Sequence, residues 1–168
     1  ASSAPRPPRP SARSRPRARA PGAAVRVADV ISVKRMRELS ALCREAGPFA
    51  AAALTEEEGA LADAMLDRLD GLAALAAARG VRVMVDAEHT YFQPAIDHIC
   101  LELMRKYNRG GGAVVHNTYQ CYLTATAAKL ERHAALAARE GWHFGAKLVR
   151  GAYLHLERAR AARLGYAD

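Results

Sequence analysis

The sequence predicts an α/β fold built on a parallel sheet. Two observations carry that expectation. The spacing of apolar residues changes from helical to alternating at residue 81. Strand-like and helix-like segments then alternate three times before residue 164. Such alternation calls for parallel strands joined by right-handed crossovers. Three units cannot close a barrel, and as an open sheet they would leave bare edges.

Residues 1–24 read as a tail rich in Pro, Ser, Ala and Arg that cannot bury a core. Residues 25–80 read as helical. Ser32 can cap a short helix running to Ala46, which Gly47-Pro48 ends. Thr55-Glu56-Glu57-Glu58 is a capping-box start with acids in the first turn. The helix that follows places Leu61, Met65, Leu66, Leu69, Leu72 and Leu75 on one broad face and stops at Gly80.

Val81, Val83 and Val85 then alternate with Arg82 and Met84, which marks a first strand. Residues 93–107 form a helix with Pro94 in its first turn and Ile96, Ile99, Cys100, Leu103 and Met104 inward. Asn108-Arg109-Gly110-Gly111-Gly112 is a loop, and Ala113 to Asn117 a second strand. A helix from about Leu123 to Glu140 closes at Gly141. Phe144 to Val149 is a third strand, followed by a helix reaching Leu164.

Composition narrows the function classes. The chain has 168 residues with 51% hydrophobic content, enough for one domain with a core. It begins with Ala and ends directly after a helical segment, which reads as a fragment of a longer protein, with a complete small domain as the alternative. The net charge is +8, but Arg6, Arg9, Arg13, Arg15, Arg17 and Arg19 supply six of those charges and leave +2 for the rest. A basic tail on a near-neutral body is a weak nucleic-acid footprint, so no nucleic-acid partner is expected. An Arg-rich, Ser-rich, acid-poor start fits part of an organellar transit peptide, although its prolines oppose the helix such peptides form. Cys43, Cys100 and Cys121 form no CxxC pair, which argues against a disulfide framework. No run of about 18 apolar residues marks a membrane span. The His and Cys spacing suits no zinc site, and Gly110-Gly111-Gly112 lacks the Lys-Ser/Thr of a phosphate loop.

Each strand ends in a polar cluster: Asp86 to Thr90, His116 to Gln120, and Lys147 to Tyr153. Ligands bind at the C-terminal ends of parallel strands. Lys147 and Arg150 at a buried strand end are costly unless they meet an anion or polar ligand, or an ion-pair partner such as Asp86 or Glu88. Strand alternation points them to opposite faces if the strand runs regularly through both. Asp86 is either a helix cap or loop acid, or a carboxylate that holds a cation or orients a substrate amine. Glu88 and His89 read as simply exposed, and His116 as a satisfied core histidine. Gln120 either ties down a loop or pairs with a heterocycle through an amide that both donates and accepts. Gly151 allows close backbone approach, and Tyr153 is either core or a pocket wall.

The segments Val85-Asp86-Ala87-Glu88-His89-Thr90-Tyr91-Phe92-Gln93-Pro94, Asn117-Thr118-Tyr119-Gln120-Cys121-Tyr122-Leu123 and Gly145-Ala146-Lys147-Leu148-Val149-Arg150-Gly151-Ala152-Tyr153 together resemble the proline dehydrogenase family. Glu157-Arg158-Ala159-Arg160-Ala161 also resembles its animal mitochondrial members. The resemblance covers residues 25–168, with a partial flavin-binding barrel over 81–168. It implies a partial (βα)8 TIM-type barrel binding FAD. It implies oxidation of L-proline to 1-pyrroline-5-carboxylate, a quinone acceptor, and peripheral association with the matrix side of the mitochondrial inner membrane. Asp86 and Lys147 resemble the family's catalytic residues. Ala87, Gln120, Lys147, Val149, Arg150, Gly151 and Ala152 resemble its cofactor contacts, and Tyr153 its substrate aromatic. Thr90-Tyr91-Phe92-Gln93-Pro94 looks more like the proline enzyme than its hydroxyproline-oxidising relative. The family's paired arginines for the substrate carboxylate lie on a late helix, and this chain ends before it. The resemblance therefore implies that the 168 residues alone are inactive. From a different class, the competing expectation is a noncatalytic truncated protein with a basic binding arm.

Overall fold

The computed structural model describes residues 31–35 and 54–166. The elements are α1 (Glu56–Arg79), β1 (Val83–Val85), α2 (Gln93–Tyr107), β2 (Val115–Gln120), α3 (Thr126–Glu140), β3 (Ala146–Val149) and α4 (Leu154–Leu164). The expected tail and the expected helix beyond Arg35 lie outside the described residues. At the start of that helix, Ser32 Oγ accepts from the Arg35 N–H at 3.2 Å.

The three strands form one parallel sheet in the order β1-β2-β3. Val85 pairs with Asn117, and Asn117 with Ala146. Side chains alternate along each strand, so this register sorts the sheet into two faces. One face carries Val85, Val115, Asn117 and Tyr119. It is the helix face, and its apolar core joins Val115 to Cys100, Leu101 and Met104 of α2 and to Leu136 and Ala137 of α3. The opposite face carries Met84, Asp86, His116, Thr118, Gln120, Gly145, Lys147 and Val149.

Local chemistry sets the helix ends. Thr55 and Glu58 form the expected capping box, with the Glu58 N–H donating to Thr55 Oγ1 at 3.2 Å and the Thr55 N–H to Glu58 Oε2 at 2.8 Å. Gly80 and Gly141 end α1 and α3 in the left-handed conformation, with φ of 64° and 75°.

Several expected boundaries shift. The second strand begins at Val115 rather than Ala113 and continues to Gln120. Asn108 explains the late start. Fully buried, it accepts from the Val114 and Val115 N–H groups at 2.9 and 2.8 Å through Oδ1. Its Nδ2 donates to Val115 O at 2.8 Å and His143 O at 2.9 Å. One side chain thus binds the Val114 and Val115 backbone at the bottom of β2, beside the Val83 N–H to Val114 carbonyl bond from β1. The late end follows from pairing with β3, which reaches Gln120 opposite Val149. Similarly, Val81 stays outside β1, α3 starts at Thr126, and β3 starts at Ala146.

The broad apolar face expected of α1 is only partly buried. Ala73 and Ala76 are buried and Leu66 and Leu69 half-buried, whereas Leu61 is 65% and Leu72 60% exposed, with Met65 and Leu75 also exposed. The small residues fit the close approach to α2, and the leucines flank that contact. Outside the apolar core, Lys106 and Tyr107 of α2 grip Asp70 of α1, at 2.7 Å from Lys106 Nζ and 2.8 Å from Tyr107 Oη. α4 contributes no residue to the core cluster. It lies instead at the rim, where Arg160 Nη1 donates to Thr90 Oγ1 at 3.3 Å.

Candidate active site at the strand ends

The C-terminal ends of the strands converge on one polar rim. Lys147 Nζ donates to Asp86 Oδ1 at 2.5 Å across the sheet. The register dictates this meeting, because Thr118 of the central strand pairs with Lys147 on one side and lies one residue beyond the Asn117–Val85 pair on the other. Asp86 is 75% exposed and Lys147 36%, so the pair faces solvent and both groups are accessible. Asp86 is not a helix cap, since α2 begins after Phe92.

Gln120 is 4% exposed. Its Nε2 donates to the Glu88 carbonyl at 2.9 Å, which ties down the β1–α2 loop. Its Oε1 is buried with no partner. The other two buried orphans in the sheet, Thr118 Oγ1 and His116 Nδ1, lie on the same face. The expectation of a fully satisfied core histidine at 116 therefore fails at Nδ1. Three buried polar atoms without partners on one strand face leave hydrogen-bonding capacity unused there.

Glu88 and His89 are more engaged than their sequence positions suggested. Tyr153 Oη donates to Glu88 Oε2 at 2.8 Å, and this hydrogen bond to a carboxylate raises the phenol's pKa. The His89 ring stacks on Tyr91 at 5.4 Å and meets Tyr153 at 4.3 Å. Tyr122 Oη accepts from the Tyr153 N–H at 3.3 Å. These residues, with Gln120, Glu157 and Arg160, line a rim cavity of about 360 Å³. Asp86 and Lys147 sit beside this cavity rather than in its wall.

Arg150 falls beyond the last residue of β3, so strand alternation does not govern it, and it is exposed. Ala87 and Val149 are half-buried and Ala152 is exposed. Gly151 has φ 112°, a region that side-chain-bearing residues rarely adopt, and a Cβ there would touch nothing within 4 Å. Its need for glycine is thus conformational. Gly145, by contrast, is a packing glycine: a Cβ would lie 2.3 Å from Val115 O.

Sequence reasoning missed a buried polar network beneath the rim. Asp97 accepts from Gln93 Nε2 and Asn117 Nδ2 at 2.8 Å each through Oδ1, and from Lys129 Nζ at 2.6 Å through Oδ2. Gln93 Oε1 in turn accepts from the Glu88 N–H at 2.9 Å. The available signal was Gln93 and Asp97 four residues apart on the inward side of an otherwise apolar helix pattern.

Fold and rim together define an α/β protein with an acid, a cation and an unpartnered amide oxygen at the C-terminal ends of a parallel sheet, where such folds bind ligands. The family model described as proline dehydrogenase matches residues 7–168. The chain belongs to the proline dehydrogenase family. It is 56% identical over 104 residues to "Proline dehydrogenase 1, mitochondrial" of Caenorhabditis elegans, covering 62% of this chain and 17% of the relative. It is 56% identical over 114 residues to the Homo sapiens protein of the same name, covering 68% and 19%. It is 42% identical over 117 residues to "Hydroxyproline dehydrogenase" of Mus musculus, covering 68% and 26%. The chain therefore spans about a fifth of the length of the curated relatives it matches. No solved structure gives a significant match.

Proposed function

We propose that the chain is part of an FAD-dependent oxidoreductase that converts L-proline to 1-pyrroline-5-carboxylate and passes the electrons to a quinone. The three strands then belong to a (βα)8 barrel that a longer polypeptide completes. The observation that carries this reading is the Asp86–Lys147 pair on the same sheet face as the orphaned Gln120 oxygen. The family match gives that geometry its chemistry.

The residues fit a flavin. Gln120 Oε1 and Thr118 Oγ1 offer unused hydrogen-bonding capacity that a polar heterocycle could take up. Ala87, Gln120, Lys147, Val149, Arg150, Gly151 and Ala152 would hold the cofactor, with the glycine leaving bare backbone for close approach. FAD, when bound, supplies the hydride acceptor. Lys147 supplies a fixed positive charge that favours negative charge developing beside it. Asp86 holds that ammonium in place and balances it. Tyr153, braced by Glu88, supplies an aromatic wall for the substrate ring.

Proline is favoured over hydroxyproline by identity. Relatives named for proline share 46–56% with the chain, and those named for hydroxyproline 40–44%. Relatives named as mitochondrial proteins support a mitochondrial location, and the family resemblance adds the matrix side of the inner membrane. The family resemblance makes peripheral association the form proposed; among the described residues no helix is long and apolar enough to cross a membrane.

The test is expression of the longest polypeptide that carries this chain. Bound flavin in the visible spectrum and proline-dependent quinone reduction are expected. A colourless protein with no such reduction would sink the proposal, and a preference for hydroxyproline would redirect it to the sister activity.

A further inference from the structure

Between Asp97 and the rim runs an unbroken relay of hydrogen bonds, buried at Asp97 and part-buried at the Glu88 main chain. Asp97, 7% exposed, is a carboxylate and can only accept, so Gln93 must turn its NH2 group toward it. That leaves Gln93 Oε1 for the Glu88 N–H. Glu88 is thereby gripped at both of its backbone polar groups, since its carbonyl accepts from Gln120 Nε2. With Nε2 committed to a carbonyl, Gln120 cannot flip without setting two oxygens against each other. Its Oε1 is left buried and unpartnered on the face of Asp86 and Lys147. Asn117 Nδ2 adds a second donor to Asp97 from the central strand, and Lys129 supplies the counter-charge from α3. The relay thus ties α2, α3 and β2 to one atom of the site.

We propose that Asp97 is a positioning residue: through Gln93 and the Glu88 main chain it fixes Gln120 with its oxygen presented to an N–H donor on the edge of a planar heterocyclic ligand. Asp97 itself touches no rim atom. The ligand half of this inference rests on the flavin reading above, and the positioning half does not.

The experiment uses the longest polypeptide carrying the chain, with three substitutions. Asp97→Leu removes the acceptor. Asp97→Asn removes the charge but keeps an acceptor oxygen. Gln93→Leu cuts the relay one link later and leaves Asp97 with Lys129. Two quantities are read. The first is hydrogen exchange of the Glu88 amide without ligand. The second is the ratio of affinities for FAD and for FAD methylated at its ring N–H.

The wild type should prefer FAD over the methylated flavin by about tenfold or more, the value of one hydrogen bond. Asp97→Leu and Gln93→Leu should each bring that ratio toward unity and speed Glu88 exchange by about tenfold. Asp97→Asn should retain most of both. A general loss of structure would lower the affinity for both flavins equally and leave their ratio unchanged.

If Asp97→Leu does not fold, Gln93→Leu decides the question alone. Unchanged Glu88 exchange and an unchanged ratio in Gln93→Leu, with flavin still bound, would overturn the positioning role. A wild-type protein that binds both flavins equally would overturn the acceptor role of Gln120. A wild type that binds neither would overturn the proposed function and the ligand named here together, and Glu88 exchange would then decide the relay by itself.

Discussion

Lys147 and Gly145 lie two residues apart on the same strand face and fail in opposite ways when changed. The Lys147 ion pair joins a half-exposed ammonium to a well-exposed carboxylate, and such pairs contribute little to stability. Lys147→Ala should therefore leave the melting temperature nearly unchanged while slowing flavin reduction on the order of a hundredfold or more. Stopped-flow absorbance of the flavin and a thermal melt separate the two. Equal loss of reduction and folding would instead mark a structural pair. Gly145→Ala should do the reverse. Its new methyl group meets backbone, which yields less readily than a side chain, so a loss of about 1–3 kcal/mol is expected from denaturant titration. At this scale the sequence was an uneven guide. Asp86 meeting Lys147 was one of the four pairings open from charge alone, but the pair faces solvent where a buried one was expected. Asn108 was not legible, because an Asn beside a glycine run reads as loop and only tertiary contacts turn it inward. Asp97 left a signal only in its helical spacing from Gln93, on the buried face of the helix.

Elements were legible where local chemistry sets them and blurred where pairing does. The α1 capping box and the glycine stops were readable because each depends on residues within one turn. The extent of β2 was not, since polar Thr118 and Gln120 resemble a loop until β3 pairs with them. The α3–β3 junction carries a pH-dependent staple of the same nonlocal kind. Burial pushes the Glu140 carboxyl up, but hydrogen bonds from Arg105 and Trp142 outweigh it and hold the group below its ordinary 4.5. Arg105 Nε donates to Glu140 at 2.6 Å and Trp142 Nε1 at 2.9 Å. A depressed carboxyl pKa stabilises the fold above its unfolded value, and that stability disappears as pH falls through the folded value. Melting temperature should thus be steady near neutrality and drop below about pH 4.5. Glu140→Gln should be less stable at neutral pH and lose part of that acid-dependent drop, the remainder belonging to carboxylates such as Asp70, which hydrogen bonds from Lys106 and Tyr107 likewise hold low.

For the whole molecule, the described strands make an open sheet with β1 and β3 as its edges. Each presents backbone groups to one side without a strand neighbour, and Met84 and Leu148 are exposed on opposite faces. Bare edges of this kind promote association between chains. The 168-residue chain should scatter light as a species larger than its 18.1 kDa monomer, and increasingly so with concentration. A longer polypeptide that closes the barrel should run as a discrete species. A strictly monomeric 168-residue chain would show that residues outside the described set cover the edges. The parallel α/β character was readable from the change in apolar period and the threefold strand–helix alternation, whereas the position of α4 was not. A regular third unit would have placed it in the helix layer, and polar side chains such as Arg160, which carry no periodic signal, help hold it at the rim.

Asn108 has a consequence for how this protein can change over time. The bottom of the sheet is sewn together by one amide whose every hydrogen bond ends on the protein's own backbone. The rim is held by side chains, several of them with capacity to spare. Inheritance should therefore be strict below and permissive above. A lineage could exchange an exposed rim residue such as Arg150 at little cost to its architecture, whereas a change at Asn108 would strand backbone groups that, among the described residues, no other side chain reaches for.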